Sequence, residues 1–382
     1  MRNVLIIAAK ANMIQQFNLR NIELLISMGF KVHVGSNFEE FGSMDKQTRD
    51  DLLAWLASRN VEVHQLPFGR QTGSIQSNYQ TIKAIRMIVS DGQEWAFLHV
   101  HSPIGAALGR IAVFLKRIPV IYTAHGFHFF KGGPKKNWLF FPIEWILGLM
   151  TRELIVINQN DLKIAKVLPI RNVTYLPSIG ADVEIALEQL PELIERDRYT
   201  IRKELGFTMD DFIMLNVGEL NDNKNQMLGL RALKVLNSND IKFVIAGVGG
   251  NSQEYLDFAN SEEIASRVKL LGYRSDLTKL YHAVDVLFFP SIREGFGMGA
   301  FDALINGVYV IGSQNTGVAD YIIDASLGRL IDPRSLDEAV STIEEVYNSR
   351  LKPDLKRNKQ FLLQFDKKNV DSIMKSVYMK YR

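Results

Sequence analysis

The chain has 382 residues, of which 47% are hydrophobic and 23% charged, and it contains no cysteine. Its length suits two domains with a core each, and its composition is that of a globular protein rather than a disordered one. The lack of cysteine excludes disulfides and thiolate metal sites and fits a reducing compartment. No apolar run reaches the roughly 18 residues of a membrane-spanning helix. The first run, 4–9, is too short for a signal peptide and predicts a buried strand.

The net charge of +3 is unevenly distributed. Residues 1–180 hold 20 Lys+Arg and 12 Asp+Glu, a balance of +8, whereas residues 181–382 hold 25 and 30, a balance of −5. A basic first half favours an anionic partner there. We expect no nucleic-acid partner, because no nucleic-acid-binding motif or basic-aromatic array is visible.

Apolar runs recur at the spacing of alternating strands and helices. The first half contains predicted strands at 4–9, 31–34, 61–66, 97–100, 120–123, 154–157 and 173–176, and predicted helices at 17–28, 50–58, 78–89 and 105–115. The second half contains predicted strands at 212–217, 242–246, 268–271, 286–289 and 309–312, and predicted helices at 226–236, 255–265, 277–283 and 299–305. Such alternation indicates parallel, doubly wound sheets, and two series indicate two Rossmann-like α/β domains.

Composition also predicts the domain boundaries. We expect an N-terminal domain over 1–177, a linker over 178–200, a C-terminal domain over 201–355 and C-terminal helices over 356–382. The predicted linker has mixed composition with a charged stretch, and the final segment carries an apolar stripe on a basic background.

Three lysines, Lys131, Lys135 and Lys136, precede an aromatic and aliphatic segment at 138–150. Cations beside Trp138 and Trp145 are typical of a segment that lies on anionic lipid. A buried helix after a solvated lysine loop has the same pattern. The two interpretations can hold for different faces of one helix.

Residues 291–302 follow a buried strand and contain Glu294, a glycine-rich turn and Asp302. A strand, a glycine-rich turn and a helix N-terminus together present backbone N–H groups to an anion, and the helix dipole favours negative charge there. Glu294 can accept hydrogen bonds from sugar hydroxyls, and Asp302 can hold a ribose. The segment can therefore bind the three parts of a nucleotide sugar. An ordinary strand-to-helix turn of a Rossmann-like domain also uses such glycines, for tight packing.

This segment resembles the Glu-x7-Glu signature of retaining glycosyltransferases with the GT-B fold, in particular glycosyltransferase family 4. The second acid here is Asp302, one methylene shorter than the family's glutamate. The resemblance covers nearly the whole chain. It implies two Rossmann-like domains whose parallel sheets face a cleft, with a C-terminal helix that returns to the N-terminal domain and packs on it.

A second segment, 122–134, reads Tyr-Thr-Ala-His-Gly-Phe-His-Phe-Phe-Lys-Gly-Gly-Pro and directly follows a predicted strand. It is closely similar to a His-Gly-Phe-His-Phe run in bacterial exopolysaccharide and capsule glycosyltransferases of family 4. By this resemblance His125 faces the donor near the reacting carbon or the diphosphate, where a neutral histidine can donate one hydrogen bond. A purely structural role is the alternative for His125 and for His128, which lies among phenylalanines.

The same resemblance places a diphosphate clamp after the first strand of the C-terminal domain, beginning at Gly218. Lys224 matches the family's lysine, whereas Glu219 stands where the family usually has arginine. Arg293 or Asn223 could compensate for the missing cation. A solvated loop lysine is the alternative for Lys224.

Further donor contacts are implied at other strand ends. The nucleobase is expected near Tyr273 and Arg274, mostly through backbone contacts, and Asp320 stands where the family commonly has glutamate. The remaining predicted donor residues are Gly295, Phe296, Gly297 and Asp302.

The acceptor side is predicted in the N-terminal domain. Asn12, Met13 and Phe17 lie in a loop predicted after the first strand, in a Met-Ile-x-x-Phe segment that is usual in the exopolysaccharide branch. His101, at another strand end, either lines the cleft or packs in the core.

The resemblance implies a hexosyl- or N-acetylhexosaminyltransferase with His125, Glu294 and Lys224 as its catalytic residues. Its donor would be a nucleotide sugar, first of all a UDP-sugar. Its acceptor would be a lipid-diphosphate-linked saccharide at the cytoplasmic face of the inner membrane, where the protein would bind peripherally. Retention would follow front-side attack. We expect no cofactor and no metal, because the chain has no Asp-x-Asp motif and because cations and helix N-termini can stabilise a leaving diphosphate.

Two other functions remain open. The departures at Glu219 and Asp302 also fit a catalytically weak partner subunit that binds donor or supports another transferase. A GT-B sugar-nucleotide epimerase is the third interpretation, and the lysine-rich aromatic segment and the exopolysaccharide-type string weigh against it.

Overall fold

The structure, a computed structural model, describes residues 2–382 except 41, 43, 71, 131–134, 190 and 237. Contacts divide the chain into two units, one made of Met1–Gly180 with Lys367–Arg382 and the other of Ala181–Asp366. Each unit is built on its own parallel sheet.

The sheet of the first unit has the strand order β3-β2-β1-β4-β5-β6-β7. The described residues form β1 (Asn3–Lys10), β2 (Lys31–Asn37), β3 (Glu62–Gln65), β4 (Trp95–His101), β5 (Val120–Ala124), β6 (Glu153–Val156) and β7 (Asn172–Tyr175). The central strands β1, β4 and β5 are buried along almost their whole length, as expected for a parallel sheet covered on both faces.

Helices cover this sheet on both sides. They are α1 (Ala11–Phe17), α2 (Leu19–Ser27), α3 (Lys46–Ser58), α4 (Ile75–Ile88), α5 (Pro103–Val113), α6 (Phe140–Gly148) and α7 (Gln159–Ala165). Several begin at side-chain caps that the sequence supplies. Asp45 accepts a hydrogen bond from Thr48 N at 2.7 Å, Ser74 forms a reciprocal pair with Ser77, and Ser102 precedes Pro103 at the start of α5.

The second unit has the strand order β10-β9-β8-β11-β12-β13. Its strands are β8 (Phe212–Val217), β9 (Ile241–Ala246), β10 (Val268–Gly272), β11 (Val286–Phe289), β12 (Tyr309–Ser313) and β13 (Gly328–Ile331). Its helices are α8 (Val183–Leu187), α9 (Pro191–Leu205), α10 (Gln226–Val235), α11 (Ser252–Ser261), α12 (Leu277–Ala283), α13 (Met298–Ile305), α14 (Leu336–Ser349) and α15 (Leu355–Leu362). Because β8 and β11 are neighbours, the loops that follow them lie side by side.

The last helix, α16 (Lys367–Met379), belongs to the first unit, as expected of a C-terminal helix that returns to the N-terminal domain. Its Tyr378 Oη forms a hydrogen bond with His99 Nδ1 at 2.9 Å, inside the core. Beyond the helix end, Lys380 Nζ lies 3.0 Å from the buried carboxylate of Glu153. The chain returns to the first unit at Lys367 and not at the predicted residue 356, because α15 belongs to the second unit.

All twelve predicted strands are present, with ends that differ by at most two or three residues. Four differences concern helices and one a strand. The segment predicted as an acceptor loop is α1, the predicted linker 178–200 contains α8 and the start of α9, and α7, α14 and β13 were not predicted. No described helix is long and apolar enough to cross a membrane.

Candidate functional site

The ends of β8 and β11 bring together the two charged residues predicted to carry the chemistry. Lys224 Nζ lies 2.5 Å from Glu294 Oε1, and both side chains are mostly buried. The stem of Lys224 passes 3.1 Å from where a Cβ of Gly218 would lie, so the glycine leaves room for it. The ammonium also lies 4.9 Å from the centre of the Phe289 ring, a favourable cation–π arrangement.

Hydrogen bonds hold the loop after β8, which carries Lys224, against the loop after β11, which carries Glu294. Ile292 N donates to Asn223 O at 2.7 Å, and Asn223 Nδ2 donates to Arg293 O at 3.0 Å. Asn225, in the left-handed region at φ 56°, donates from Nδ2 to Pro290 O at 3.1 Å. Asn223 therefore positions the loop that carries Lys224.

The glycine-rich turn ends at Gly297, whose φ of 82° suits glycine, and α13 starts directly after it. No side chain caps this helix start, and the first N–H groups of a helix have no partner within the helix. Tyr321 Oη donates to Gly297 O at 3.0 Å and Tyr281 Oη donates to Gly299 O at 3.1 Å, so the carbonyls are held and the N–H end is left to a ligand. This is the geometry of an anion site.

Asp302 lies on the first turns of α13 and is largely buried. Burial, and secondarily the charge of Asp182, raise the pKa of Asp302 to about 6. A carboxyl with this pKa changes charge near neutral pH, and ionisation becomes easier when hydroxyl groups donate to it.

The other predicted donor residues differ in what they offer. Phe296 is only 2% exposed and packs against Phe301, Tyr321 and Phe365, so its side chain belongs to the core and only its backbone is available to a ligand. Arg293 is exposed.

The two residues predicted near the nucleobase, Tyr273 and Arg274, differ in how free their side chains are. Tyr273 is 77% exposed, whereas the Arg274 guanidinium pairs with Asp276 at 2.8 Å and Glu204 at 2.6 Å. These two carboxylates raise the pKa of Arg274 and hold its side chain, so that the predicted approach of a nucleobase here is to the backbone. Glu219 is exposed, and its backbone oxygen accepts from Gln226.

In the first unit, the strand ends of β4 and β5 carry a chain of histidines. His101 Nδ1 and His125 Nε2 lie 3.1 Å apart, and the rings of His99 and His101 lie 4.2 Å apart. His99 bonds to Thr123 Oγ1 at 2.8 Å through its other nitrogen. Burial lowers the pKa of His125 to about 4 and that of His99 to about 3, and it also lowers that of His101, so all three imidazoles are neutral at pH 7.

His101 and His125 line a pocket of about 250 Å³ within the first unit, together with Phe17, Thr123 and Met374. Two of their buried ring atoms, His125 Nδ1 and His101 Nε2, have no hydrogen-bond partner among the residues that the structure describes. A buried polar atom without a partner is costly, and such atoms in a pocket mark a place where a polar ligand binds.

The predicted acceptor residues lie around this pocket to different degrees. Phe17, on α1, packs its ring on His125 at 4.6 Å. Asn12 and Met13 are half-buried on the same helix and do not line the pocket. His128 is half-buried, and its carbonyl accepts from Asn137 at 2.8 Å, which favours the structural interpretation.

Both halves of the chain match glycosyltransferase families. Residues 197–361 match glycosyl transferases group 1, and residues 7–159 match the glycosyl transferase 4-like family. EpsD of Bacillus subtilis strain 168, a protein named as a glycosyltransferase, is 31% identical over 379 residues, which are 96% of this chain and 93% of EpsD. The chain belongs to this glycosyltransferase family. The Escherichia coli UDP-Gal:α-D-GlcNAc-diphosphoundecaprenol α-1,3-galactosyltransferase is 26% identical over 360 residues, 90% of this chain and 87% of that one.

Solved structures of glycosyltransferases share the fold. Anabaena HepE in complex with UDP and glucose superposes with a TM-score of 0.77 at 18% identity over 100% of both chains. WaaG, a glycosyltransferase of lipopolysaccharide biosynthesis, gives 0.69 at 17% identity over 97% of this chain and 99% of WaaG. The fold of this glycosyltransferase is therefore GT-B.

Three residues of this glycosyltransferase site were not predicted. Tyr281 and Tyr321 hold the carbonyls of the glycine-rich turn, and Thr123 holds His99. Tyr281 follows Leu280 and Tyr321 precedes Ile322 and Ile323, which indicates partly apolar surroundings. A tyrosine hydroxyl buried in such surroundings needs a partner, but the sequence does not say which one.

Proposed function

We propose that this glycosyltransferase moves a sugar from a UDP-sugar to a lipid-diphosphate-linked saccharide, with retention of configuration, during exopolysaccharide or capsule assembly. The Lys224–Glu294 pair beside the uncapped start of α13 carries the proposal. The E. coli relative, which is named for a UDP-galactose donor and a diphosphoundecaprenol-linked acceptor, supports both substrate classes. The UDP complexes of HepE support the choice of nucleotide.

In the proposed reaction the bond between the anomeric carbon and the β-phosphate oxygen breaks, and an acceptor oxygen bonds to the same face of that carbon. The proton of the acceptor hydroxyl passes to the leaving phosphate oxygen. Lys224 and the first N–H groups of α13 stabilise the negative charge that develops on the diphosphate. Glu294 holds sugar hydroxyls, and Asp302 accepts from the ribose.

His125 contributes a hydrogen bond rather than a charge. Its low pKa keeps the ring neutral at pH 7, so one ring nitrogen donates and the other accepts. Its Nδ1 is buried without a protein partner, which leaves that atom for a sugar hydroxyl or a phosphate oxygen.

Ligand-induced stabilisation tests the donor half of the proposal. UDP, GDP, ADP and dTDP are each added to the purified protein with Mg²⁺ or with EDTA, and the melting temperature is measured. A ligand at 100 times its dissociation constant stabilises the folded state by about 2.7 kcal/mol. We expect UDP alone among these to stabilise, equally in EDTA. Stabilisation by none of them would favour the partner-subunit interpretation.

Transfer itself is tested with a lipid-diphosphate-linked monosaccharide and a panel of UDP-hexoses and UDP-N-acetylhexosamines. The product is analysed for its anomeric configuration. An inverted product would overturn the retaining mechanism. Release of a 2-epimer of the donor without acceptor would favour the epimerase.

We further propose that this protein binds an anionic phospholipid surface through the region of 111–149. Apolar side chains are widely exposed there, with Leu115 at 82%, Leu139 at 74% and Leu149 at 62%. The other exposed apolar members are Ile111, Phe114, Trp138, Phe140, Ile143, Trp145 and Ile146. Single exposed apolar residues are normal on a protein surface, but a group of this size indicates an interaction site. Two tryptophans within it are typical of a segment at a membrane interface.

Cations accompany this patch. Lys135 and Lys136 are exposed just before α6, and the predicted third lysine, Lys131, lies outside the described residues. A pocket of about 310 Å³ next to Leu149 is lined by the exposed Arg117, Arg152 and Arg171. Each basic residue near an anionic membrane contributes about 1 kcal/mol, so charge and apolar contact favour the same surface.

Vesicle co-sedimentation distinguishes this surface. The wild-type protein should bind vesicles that contain phosphatidylglycerol and should bind pure phosphatidylcholine much less. Leu115→Glu and Leu139→Glu should lose binding without loss of stability, because both positions are exposed. Ile75→Glu is the matched control, since Ile75 is 92% exposed in the same unit but outside the patch. Equal binding by all variants would contradict the assignment.

A further inference from the structure

Three ligand-type side chains lie together at the β3 edge of the first unit's sheet. In the pairing of β2 with β3, His33 stands opposite Glu62 and Gly35 opposite His64. Side chains alternate between the two faces of a strand, so Glu62, His64 and His33 share one face. They lie on β2 and β3 at one edge of the sheet, whereas His125 follows β5 on the other side of β1 and β4, so the group does not belong to the histidine pocket.

The ligand atoms are spaced as a metal requires. His33 Nδ1 lies 3.0 Å from His64 Nε2 and 3.2 Å from Glu62 Oε2, and the three atoms lie within 4.8 Å of one another. Ligands at about 2.0–2.2 Å from a tetrahedral zinc ion are about 3.3 Å apart. It is the one group with this spacing among the residues that the structure describes.

A neighbouring amide fixes the tautomer of the central histidine. Asn3 Nδ2 donates to Glu94 O at 3.1 Å, so Asn3 Oδ1 is directed to His33 Nε2, at 3.1 Å. Nε2 therefore carries the ring proton, and the lone pair of His33 Nδ1 points toward Glu62 and His64. A metal-binding histidine commonly has this second hydrogen bond, which orients the ring.

In the absence of an ion, His64 Nε2 can donate to this lone pair at 3.0 Å, but a carboxylate oxygen of Glu62 lies 3.2 Å from the same lone pair and repels it. A cation bound by all three atoms would remove this repulsion. His33 is buried, whereas Glu62 is exposed, so an ion here reaches solvent on one side.

We propose that His33, Glu62 and His64 bind a zinc ion, through Nδ1, Oε2 and Nε2, with water in the fourth position. Two imidazoles and one carboxylate are a ligand set that zinc favours. The site goes beyond sugar transfer: the ion would join the four-residue edge strand β3 to β2. The exposed edge of a sheet is its weakest part, and a cross-strand metal stabilises it.

Lys31 gives the proposal a test that does not depend on loss of function. Its ammonium pairs with Glu62 Oε1, and a cation next to the site opposes a divalent ion. Lys31→Met should therefore tighten zinc binding by about tenfold or more. A merely structural histidine cluster predicts no such gain.

The experiment uses the full chain without a polyhistidine tag. Zinc is titrated in competition with a chromogenic chelator, and Co²⁺ replaces it for visible absorption. We expect one equivalent of Zn²⁺, a tetrahedral Co²⁺ spectrum, and a rise in melting temperature on zinc addition. His64→Gln and Glu62→Gln should lower the affinity at least tenfold and abolish the rise. His128→Gln and Glu23→Gln, in the same unit but outside the group, should bind as the wild type does.

Two results would overturn the proposal: a wild-type protein that takes up no zinc, or His64→Gln and Lys31→Met variants that bind zinc as the wild type does. Circular dichroism of each variant excludes misfolding as the cause of a loss. UDP stabilisation, measured in parallel, should be the same in wild type and His64→Gln. The zinc site and the donor site can therefore fail independently.

Discussion

Lys224 Nζ and Glu294 Oε1 lie 2.5 Å apart although the residues are 70 positions apart in the chain. The pair joins the loops that follow β8 and β11 and holds both side chains at the carboxyl edge of the sheet, where α/β proteins bind ligands. In the free protein each charge neutralises the other. A bound diphosphate would compete for Lys224 and leave Glu294 for sugar hydroxyls, so the ion pair positions both residues before the donor arrives.

Removing either member should therefore have distinct effects. Glu294→Ala should abolish detectable transfer and weaken donor binding, because it removes sugar contacts and leaves Lys224 without its partner. Lys224→Ala should mainly lower kcat, by about 10²–10³-fold, as expected when one stabilising group for the leaving charge is lost. Steady-state kinetics and UDP titration measure the two effects. Lys234→Ala is the control, because Lys234 lies on α10 and also forms an ion pair, with Glu262. An active Glu294→Ala protein would refute the site.

Restoring the family's second cation should strengthen the diphosphate site. Glu219 is exposed on the loop after β8, at the position where the family usually has arginine, so Glu219→Arg replaces a negative charge with a positive one without a packing penalty. We expect UDP to bind about tenfold more tightly, and more so at low salt because exposed charges are screened. Isothermal titration at two ionic strengths measures this. Unchanged affinity would mean that position 219 does not face the diphosphate.

Asp302 should make both stability and UDP binding depend on pH. Its native pKa of about 6 lies above the usual 3.8, so the folded state holds the proton more tightly than the unfolded chain does. The contribution of Asp302 to the free energy of unfolding should therefore fall as pH rises from about 4 to 6, against the opposite contribution of the buried histidines. Asp302→Asn should remove this fall and add up to about 3 kcal/mol at pH 7. Urea unfolding across this pH range measures the change.

UDP binding should show the opposite trend, because a ribose needs the ionised carboxylate. Affinity should rise through about pH 6 in the wild type and stay low and flat in Asp302→Asn. Asp182→Asn removes the neighbouring charge that contributes to the raised pKa and should move the inflection to lower pH. An inflection that persists in Asp302→Asn would assign it to another group.

The sequence predicted the sheets well because a parallel strand buried on both faces is a continuous apolar run, as in 212–217 and 286–289. It did not predict β13, whose Gly328 and Arg329 break the run, nor α1, whose polar Asn12, Gln15 and Gln16 are typical of a loop. The sequence was a weaker guide to which residues form pairs in the sites. His33 and His64 come together only through the strand pairing of β2 and β3, and nothing in their spacing of 31 residues indicates it.

The sequence also did not predict which residues the side chains of the proposed donor site contact. The sequence placed Arg274 near the nucleobase, mostly through its backbone, but it did not show that Glu204, 70 residues earlier, and Asp276 pair with the guanidinium. It named Phe296 among the donor residues, but it did not show that the side chain packs with Phe301 and Phe365 and leaves only the backbone to a ligand. Motif spacing gives the position of a residue along the chain, and tertiary packing decides which way it faces.

The buried histidines should make the protein sensitive to acid. His125, with a native pKa of about 4, stays neutral while the same residue in the unfolded chain takes up a proton below about pH 6.5. Stability is therefore complete above pH 6.5 and falls as pH drops to about 4, by about 1.4 kcal/mol per pH unit for each such histidine. His125→Gln should reduce this slope by one proton equivalent. Urea midpoints between pH 7 and 4.5 measure it, and an unchanged slope would mean that His125 is protonated in the folded state.

The exposed apolar face of α6 depends on a buried ion pair behind it. Arg110 on α5 binds both carboxylate oxygens of Glu144, at 2.6 and 3.2 Å, and is itself fully buried, with Ala106 O and Thr151 Oγ1 as further acceptors. Arg110→Met should cost about 3–5 kcal/mol of unfolding free energy, since it leaves Glu144 buried and unpaired, whereas Arg110→Met with Glu144→Leu should recover most of it. Urea unfolding of the two variants measures the difference.

If the double variant remains as unstable as the single one, the pair is not the source of the loss. The cation–π contact of the Arg110 guanidinium with the Tyr122 ring, whose centre lies 4.7 Å from the guanidinium carbon, would then account for it. If the double variant is stable, its vesicle binding shows whether the membrane contact needs only the apolar patch or also the orientation that the ion pair gives to α6. The apolar patch is intact in that variant, so retained binding would show that the patch alone suffices. Reduced binding would show that the ion pair fixes the angle at which α6 presents its side chains.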